Sequence, residues 1–364
     1  MNSSANPRTY YPFLDGFRAL AILWVIIHHL NYSFHIALFF PDALSRNLDR
    51  FADIGNLGVD IFFVISGFLI SGLLLEDLDS RLRVRRFYFR RFFKIIPQYL
   101  LTVLAGIVLT RIFFDQRKEL VSVAASYLLL LQNYASPITF LSHLWSIAVE
   151  EHFYFLYPLL LQGVCGLIKD RQRRRPVVLA ILLVLMLAVF LVRCWTFIHF
   201  PYSPKLLFQM THLRIDALLM GCVIKLTEPF WAGLAVSRWR FLSGGCCLAS
   251  GGLFYLLFLR FDPCRSMHYV GAYLASGFLL VSALIGFRPL LAVTQNAVMR
   301  WVGRNSYATY LWHYPLIVVF GELLHGKANV LTVLAIAILT ILAGALSTMT
   351  VERYFLDLRK KIVP

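Results

Sequence analysis

The sequence predicts an all-α, polytopic membrane protein with about ten transmembrane helices and both termini in the cytoplasm. Of its 364 residues, 59% are hydrophobic and only 15% are charged, and the mean hydropathy is +0.70. Soluble domains carry about 25% charged residues, so this composition excludes that class. Apolar runs long enough to cross a bilayer also recur along the whole chain.

Ten of these runs are predicted to span the membrane. A further run at 121–131 is short for a span, and the basic residues argue that it does not cross, because the arginine-rich linkers on either side of the third and fourth spans both belong inside. With this topology 23 of the 35 lysines and arginines lie on the cytoplasmic side and 9 on the opposite side. The predicted spans are 13–31, 58–76, 96–114, 142–168, 177–198, 206–226, 241–259, 268–287, 306–324 and 328–350.

The domain organisation is simple. Residues 1–9 are predicted to form a cytoplasmic tail, 10–356 the transmembrane domain and 357–364 a basic cytoplasmic tail. The first apolar run is long enough to span and no cleavage site follows it, so it is not a signal peptide. The six cysteines lack metal or redox spacing, and no metal is expected. The net charge is +16, and the basic residues lie between the apolar runs. The preference of lysine and arginine for cytoplasmic loops therefore explains this charge better than nucleic-acid binding does.

The first span carries ionisable side chains that a lipid-facing helix would lack. Arg18 and His29 are eleven residues apart, which at about 100° per residue places both on one face, about 16 Å apart along the axis. Asp15 lies on nearly the same line, one turn before Arg18. Such groups are costly in a membrane, so they are expected to face a polar interior and to mark a functional site. Alternatively, His29 is a polar residue that only ties helices together.

Two further spans carry carboxylates at membrane depth. Asp60 lies at the outer end of the second span, near the expected depth of His29, where it could orient the imidazole for general-base catalysis. The alternative is that Asp60 only lies in the headgroup region. Glu150 and Glu151 are deep in the fourth span, so at least one should face an interior polar pocket.

A basic and aromatic segment, RRFYFRRFFKIIPQYLL at 85–101, leads into the third span, where Pro97 is expected to bend or begin the helix. Such a cluster commonly binds anionic lipid. The functional alternative is a phosphate-rich ligand such as a coenzyme, because arginine recognises phosphate oxygens bidentately. The residues assigned to this cofactor site are Arg86, Arg90, Arg91 and Lys94.

Together these stretches resemble the acyltransferase 3 family of integral membrane acyltransferases. The matching segments, in the family's order, are LDGFRALAILWVIIHH, GVDIFFVISGFLI, FYFRRFFKIIPQY, LWSIAVEEHFYFLYP, NSYATYLWHYPL and the terminal VERYF. Any one of them alone is a weak signal. All six in order, over residues 10 to about 355, are a specific one.

The resemblance implies a ten-helix fold that takes an acyl group from cytoplasmic acyl-coenzyme A and delivers it to an acceptor at the far face. It points to Arg18 and His29 as the essential pair and to Glu150, rather than Glu151, as the family's glutamate. One departure concerns Lys94, which stands where the family has the second arginine of an Arg-x-x-Arg motif. Lysine keeps the charge but loses the planar fork. Some members carry an additional extracytoplasmic hydrolase-like domain, for which this chain is expected to be too short.

The resulting hypothesis is an acetyl-CoA-dependent O-acyltransferase without a metal. Neutral His29 would accept the proton of a sugar hydroxyl as it attacks the thioester, Asp60 or Glu150 would hold the imidazole, and Arg18 would steady the thioester or guide the pantetheine arm. His29 as a covalent acyl carrier is a second version. The substrate channel is assigned to Asp15, Tyr310 and His313, the last two one turn apart on the ninth span.

The acceptor expected from the resemblance is an exported glycan or glycolipid, such as lipopolysaccharide O-antigen or capsule, in the bacterial inner membrane. Membrane lipid and acyl-CoA are the other expected partners, and no oligomeric state is inferred. A lipid or glycolipid flippase and a proton-coupled transporter remain alternatives, since both also need buried polar groups. Neither would consume a thioester, and transporters usually show inverted repeats, which this sequence lacks.

Overall fold

The computed structural model describes residues 10–75, 84–114, 120–135, 137–200, 209–232, 239–259 and 265–362. Every regular element in these ranges is helical, which confirms the all-α prediction. The predicted tail at 1–9 and the arginines at positions 81 and 83 lie outside the described residues.

The α-helices of the described residues are, in chain order, α1 (Pro12–Phe34), α2 (Asp42–Asp53), α3 (Gly58–Leu75), α4 (Val84–Phe113), α5 (Leu120–Leu128), α6 (Trp145–Leu167), α7 (Arg171–His199), α8 (Thr211–Arg214), α9 (Asp216–Ala232), α10 (Trp239–Phe258), α11 (Arg265–Ile285), α12 (Arg288–Thr294), α13 (Ala297–Arg304), α14 (Ser306–Leu323), α15 (Val330–Ser347) and α16 (Arg353–Ile362). A π-helical turn at Thr348–Glu352 joins α15 to α16, and a 3₁₀ helix at Thr139–Leu144 precedes α6.

Seven helical stretches within the described residues are long and apolar enough to cross a membrane. They are Pro12–Phe34, Leu44–Leu75, Val84–Phe113, Arg171–His199, Phe241–Phe258, Met267–Ile285 and Val330–Ile362. The other three predicted spans coincide with α6, α9 and α14, which are shorter or more polar. The total of ten crossings and the cytoplasmic position of both termini therefore stay predictions.

Two local features refine the predicted spans. The ambiguous run at 121–131 forms α5, whose nine residues extend about 14 Å and cannot cross a hydrocarbon core of about 30 Å. Pro97 lies inside α4, which runs continuously for 30 residues, so the proline does not begin this helix. At about 45 Å, α4 is long enough to extend its arginine-rich first turns beyond the core.

Helix α1 lies at the centre of the bundle and packs against α3, α12, α13 and α14. Its first turns approach α13 closely, because a Cβ on Gly303 would lie 1.7 Å from the carbonyl oxygen of Asp15. Helices α3 and α9 touch in the same way. A Cβ on Gly67 would lie 1.9 Å from the carbonyl oxygen of Leu218, so only glycine permits this spacing. These contacts fix which faces of α1, α3 and α9 enclose the interior.

Candidate functional site: two adjoining cavities

The first cavity, here called the Arg18 cavity, has a volume of about 90 Å³. Six helices and the π-helical turn enclose it. Its polar walls come from Arg18 of α1, Ser66 of α3, Arg91 and Lys94 of α4, Ser146, Glu150 and Tyr154 of α6, Arg304 of α13, Ser306, Tyr307 and Tyr310 of α14, and Glu352 of the turn. The cavity thus brings cations and carboxylates from distant parts of the chain together.

The carboxylates of the Arg18 cavity are held by neighbouring side chains. Glu150 accepts hydrogen bonds from the hydroxyls of Ser66 at 3.0 Å and Tyr154 at 3.1 Å. Glu352 accepts one from the amide of Gln98 at 3.2 Å. Glu150 therefore belongs to this cavity and is not in contact with His29.

Unlike the carboxylates, three cations of the Arg18 cavity, Arg18, Arg91 and Lys94, are not held by hydrogen bonds to neighbouring side chains of the described residues. Arg91 lies over the ring of Tyr154, 4.7 Å from its centroid, which fixes its guanidinium against the wall. Arg18 and Lys94 have no hydrogen bond to any residue in the described ranges, so their donors are available to a ligand in the cavity. Arg90 and Arg86 precede Lys94 by four and eight residues on α4 and do not line the cavity.

The second cavity, here called the His29 cavity, has a volume of about 320 Å³. It adjoins the first, because Val59 and Tyr310 line both. The tyrosine hydroxyl bonds Ser146 at 2.6 Å and donates to the carbonyl of His143 at 2.8 Å. The full lining is Val25, His28, His29, Asn56, Val59, Ser142, His143, Trp145, Gln209, Arg214, Tyr269 and Tyr310.

A chain of hydrogen bonds sets the tautomer of His29. Nδ1 of His313 lies 2.6 Å from the carbonyl oxygen of Tyr310, which can only accept, so this nitrogen carries the proton and Nε2 of His313 is an acceptor. That Nε2 lies 3.2 Å from Nδ1 of His29, which also lies 3.0 Å from the carbonyl oxygen of Val25. Nδ1 of His29 is therefore the donor, and the lone pair of its Nε2 is left for the cavity.

Asp60 lies deep in the protein, but its partner differs from the predicted one. Both of its carboxylate oxygens accept from Nη2 of Arg214 at 3.0 Å, and the two side chains are 1% and 3% exposed. Asp60 is buried between helices, and the alternative that it lies at headgroup depth stays open. The groups that hold the imidazole of His29 are Val25 and His313.

Asp15 lies at the start of α1 and takes no part in lining either cavity. It accepts a hydrogen bond from Tyr10 and forms an ion pair with Nε of Arg304 at 3.2 Å. Arg304 itself lines the Arg18 cavity. Asp15 therefore positions Arg304, a residue of the cavity wall, without lining the cavity itself.

The family model described as an acyltransferase domain matches residues 11–349. The chain belongs to the acyltransferase 3 family. The six segments that carried the resemblance thus identified the family correctly. In this member, the Arg18 and His29 pair lies on one face of α1, as predicted, and faces two adjoining cavities.

Three curated relatives of this family member are named as O-acetyltransferases, and two of the names specify peptidoglycan. The chain is 29% identical to the peptidoglycan O-acetyltransferase OatA of Listeria monocytogenes over 85% of its own length and 50% of the relative's. It is 30% identical to the O-acetyltransferase OatA of Staphylococcus aureus over 98% and 58%. The putative peptidoglycan O-acetyltransferase YrhL of Bacillus subtilis is also 30% identical, over 85% and 49%. The chain thus spans about half the length of these relatives, and no solved structure matches it.

Three site residues of this family member were not singled out from the sequence. Glu352 reaches the Arg18 cavity from the π-helical turn, a distortion that frequently occurs at functional sites. His143 and Arg214 line the His29 cavity. The arginine lies within a predicted span, and a charge at that depth was the signal that could have identified it.

Proposed function

We propose that this protein is a membrane O-acetyltransferase that takes an acetyl group from cytoplasmic acetyl-CoA and passes it to a hydroxyl of a glycan at the opposite face of a bacterial cytoplasmic membrane. The observation that carries the proposal is that two neighbouring cavities share Val59 and Tyr310 as wall residues. One cavity offers cations and the other offers an unprotonated imidazole nitrogen. A thioester can therefore bind on one side and react on the other.

The donor is proposed to bind with its phosphates at the mouth of the Arg18 cavity. Arg18, Arg91 and Lys94 line this cavity, and cations of this kind bind phosphate oxygens through charge-assisted hydrogen bonds. The pantetheine arm is proposed to enter this cavity, with the nucleotide held at its mouth. Extended, that arm is about 15–20 Å long, which matches the separation of about 16 Å between Arg18 and His29 along α1.

The acceptor is proposed to be the glycan of peptidoglycan. O-antigen and capsule are the acceptors expected from the family resemblance. The names of the relatives in Listeria monocytogenes and Bacillus subtilis favour peptidoglycan instead. Because the chain covers about half of those proteins, the acceptor is a proposal here.

His29 is proposed as the general base. Its Nε2 accepts the proton of the acceptor hydroxyl while that oxygen attacks the thioester carbonyl, and the same proton then passes to the leaving sulfur. Val25 and His313 hold the tautomer that this step requires. No carboxylate contact to the imidazole is needed.

The experiment is release of free thiol from acetyl-CoA by the purified protein in lipid nanodiscs, with and without soluble peptidoglycan fragments. We expect thiol release that depends on the fragments and a matching gain of acetyl ester on the glycan.

His29→Ala should abolish both while insertion and thermal unfolding stay unchanged. His28→Ala is the control, because its Nδ1 is bonded to Ala52 on the same wall. Near-normal turnover of the His29 variant would exclude the base assignment, and no thiol release with any acceptor would favour the flippase.

A further inference from the structure

A buried ion pair beside His29 has no part in the mechanism described so far. Arg214 lies at the end of α8, and Asp60 lies in the first turn of α3. The arginine is 3% exposed, yet it forms part of the wall of the His29 cavity. It is the one lysine or arginine among the described residues that line this cavity.

The guanidinium of Arg214 is held on two sides. Nη2 donates to both oxygens of Asp60, and the Cζ atom lies 3.8 Å from the ring centroid of Tyr269. Nε is buried without a hydrogen-bond partner in the described part of the chain. The side chain thus has an imposed orientation and an unused donor, Nε, and such a group can stabilise developing charge without reorganising.

A second buried pair serves as a structural comparison. Arg193 of α7 donates to Asp216 of α9 and, through Nε, to the carbonyl oxygen of Leu213 at 2.9 Å. Its side chain is 1% exposed, and neither Arg193 nor Asp216 lines the Arg18 cavity or the His29 cavity. The two pairs share chemistry, burial and the α8–α9 region, but only Arg214 faces the space beside His29.

We propose that Arg214 is a catalytic residue that binds the carbonyl oxygen of the thioester, and that Asp60 is its positioning residue. The inference rests on the proposed function. As the acceptor oxygen bonds to the carbonyl carbon, the C=O electron pair moves onto its oxygen, and Arg214 stabilises this oxyanion. Collapse reforms the C=O bond and breaks the C–S bond, and the proton held by His29 goes to sulfur. The products are the acetyl ester and free coenzyme A.

Charge favours this assignment over a role for His29 alone. An imidazole that must accept a proton is neutral when the attack begins, so it cannot stabilise the oxyanion at that stage. The fixed positive charge in the His29 cavity is that of Arg214. Removing one oxyanion donor typically lowers kcat by about 10²–10³-fold.

The test compares two charge-neutral double variants, because removing one member of a buried pair strands the other. We expect Asp60→Asn with Arg214→Gln to fold, with a thermal midpoint and size-exclusion profile like those of the comparison pair, and to lose about 100-fold in kcat. The KM values for acetyl-CoA and peptidoglycan fragments should stay near those of the wild type. The comparison pair, Arg193→Gln with Asp216→Asn, should lose much less kcat than the first pair.

Single variants keep the proposal testable if the first pair fails to fold. Arg214→Lys retains the charge and loses the fork, so its kcat should lie between the wild type and the double variant, with unchanged KM. Wild-type kcat in the folded double variant, equal losses in both pairs, or a change confined to the KM for the glycan would each overturn the assignment. Failure of the proposed function is distinguishable, since the wild-type protein would then release no thiol.

Discussion

At the scale of single residues, the site depends on which nitrogen of His29 carries the proton. The backbone carbonyl of Val25 and the ring of His313 together hold that proton on Nδ1. Triads usually assign this task to a carboxylate. Here the partner is the neutral ring of His313, which is 0% exposed, so orienting the base adds no further buried charge.

A substitution at His313 tests this relay. His313→Leu removes the acceptor and should lower kcat about fivefold to tenfold, because a net hydrogen bond contributes about 1 kcal/mol and 1.36 kcal/mol is tenfold in rate. His313→Gln can still accept from His29 and should lose less. Steady-state kinetics with acetyl-CoA would check this, with KM as the internal control. Equal kcat for the leucine variant and the wild type would contradict the positioning role.

At the scale of elements, close contacts between helices align the site. Gly67 of α3 and Gly221 of α9 let the two backbones touch, since a Cβ on either would lie within about 2 Å of a carbonyl oxygen of the other helix. This contact lies on the helices that carry or follow Asp60 and Arg214. A wider separation would therefore disturb both the packing and the buried pair.

Gly67→Ala should destabilise the protein by about 1–3 kcal/mol, as overpacked sites do. Thermal unfolding in nanodiscs would measure it. Gly245→Ala in α10 is the matched control, because no atom lies within 4 Å of its added Cβ and the substitution should be neutral or stabilising. Similar thermal unfolding midpoints for the two variants would contradict the prediction, because they would show that α3 and α9 can move apart without loss of stability.

At the scale of the whole molecule, charge distribution predicts orientation. The basic linkers and the cations of the Arg18 cavity belong to the same side if positively charged segments stay in the cytoplasm. The His29 cavity would then lie toward the opposite face. Two basic linkers can both be cytoplasmic only if the chain crosses the membrane an even number of times between them. The short α5 satisfies this condition, because it cannot cross the membrane.

Cysteine labelling tests this orientation in a background whose native cysteines are replaced by alanine. Asp170→Cys, between α6 and α7, should react with a membrane-impermeant maleimide only after cells are permeabilised. Lys327→Cys, between α14 and α15, should react in intact cells. Both positions are exposed, so burial does not limit either reaction. Labelling of both, or of the first alone, in intact cells would refute the predicted topology.

Much of the fold and part of the site follow from the chain alone. Hydropathy located the helices, and helical periodicity placed Arg18 and His29 on one face of α1, because both depend only on residues near in sequence. The family was identifiable from motifs whose order is itself a property of the sequence. Pro97 and the bounds of α4 were less certain, since a proline can begin or continue a helix.

Only the tertiary structure decided which buried polar side chains contact each other. Asp60 binds Arg214, 154 residues away, and His29 contacts His313, 284 residues away. Periodicity tells which side chains share a face, but the face that a helix turns toward its neighbour depends on contacts such as Gly67 against Leu218. The sequence thus determined that buried charges exist in this protein, and packing decided which of them meet.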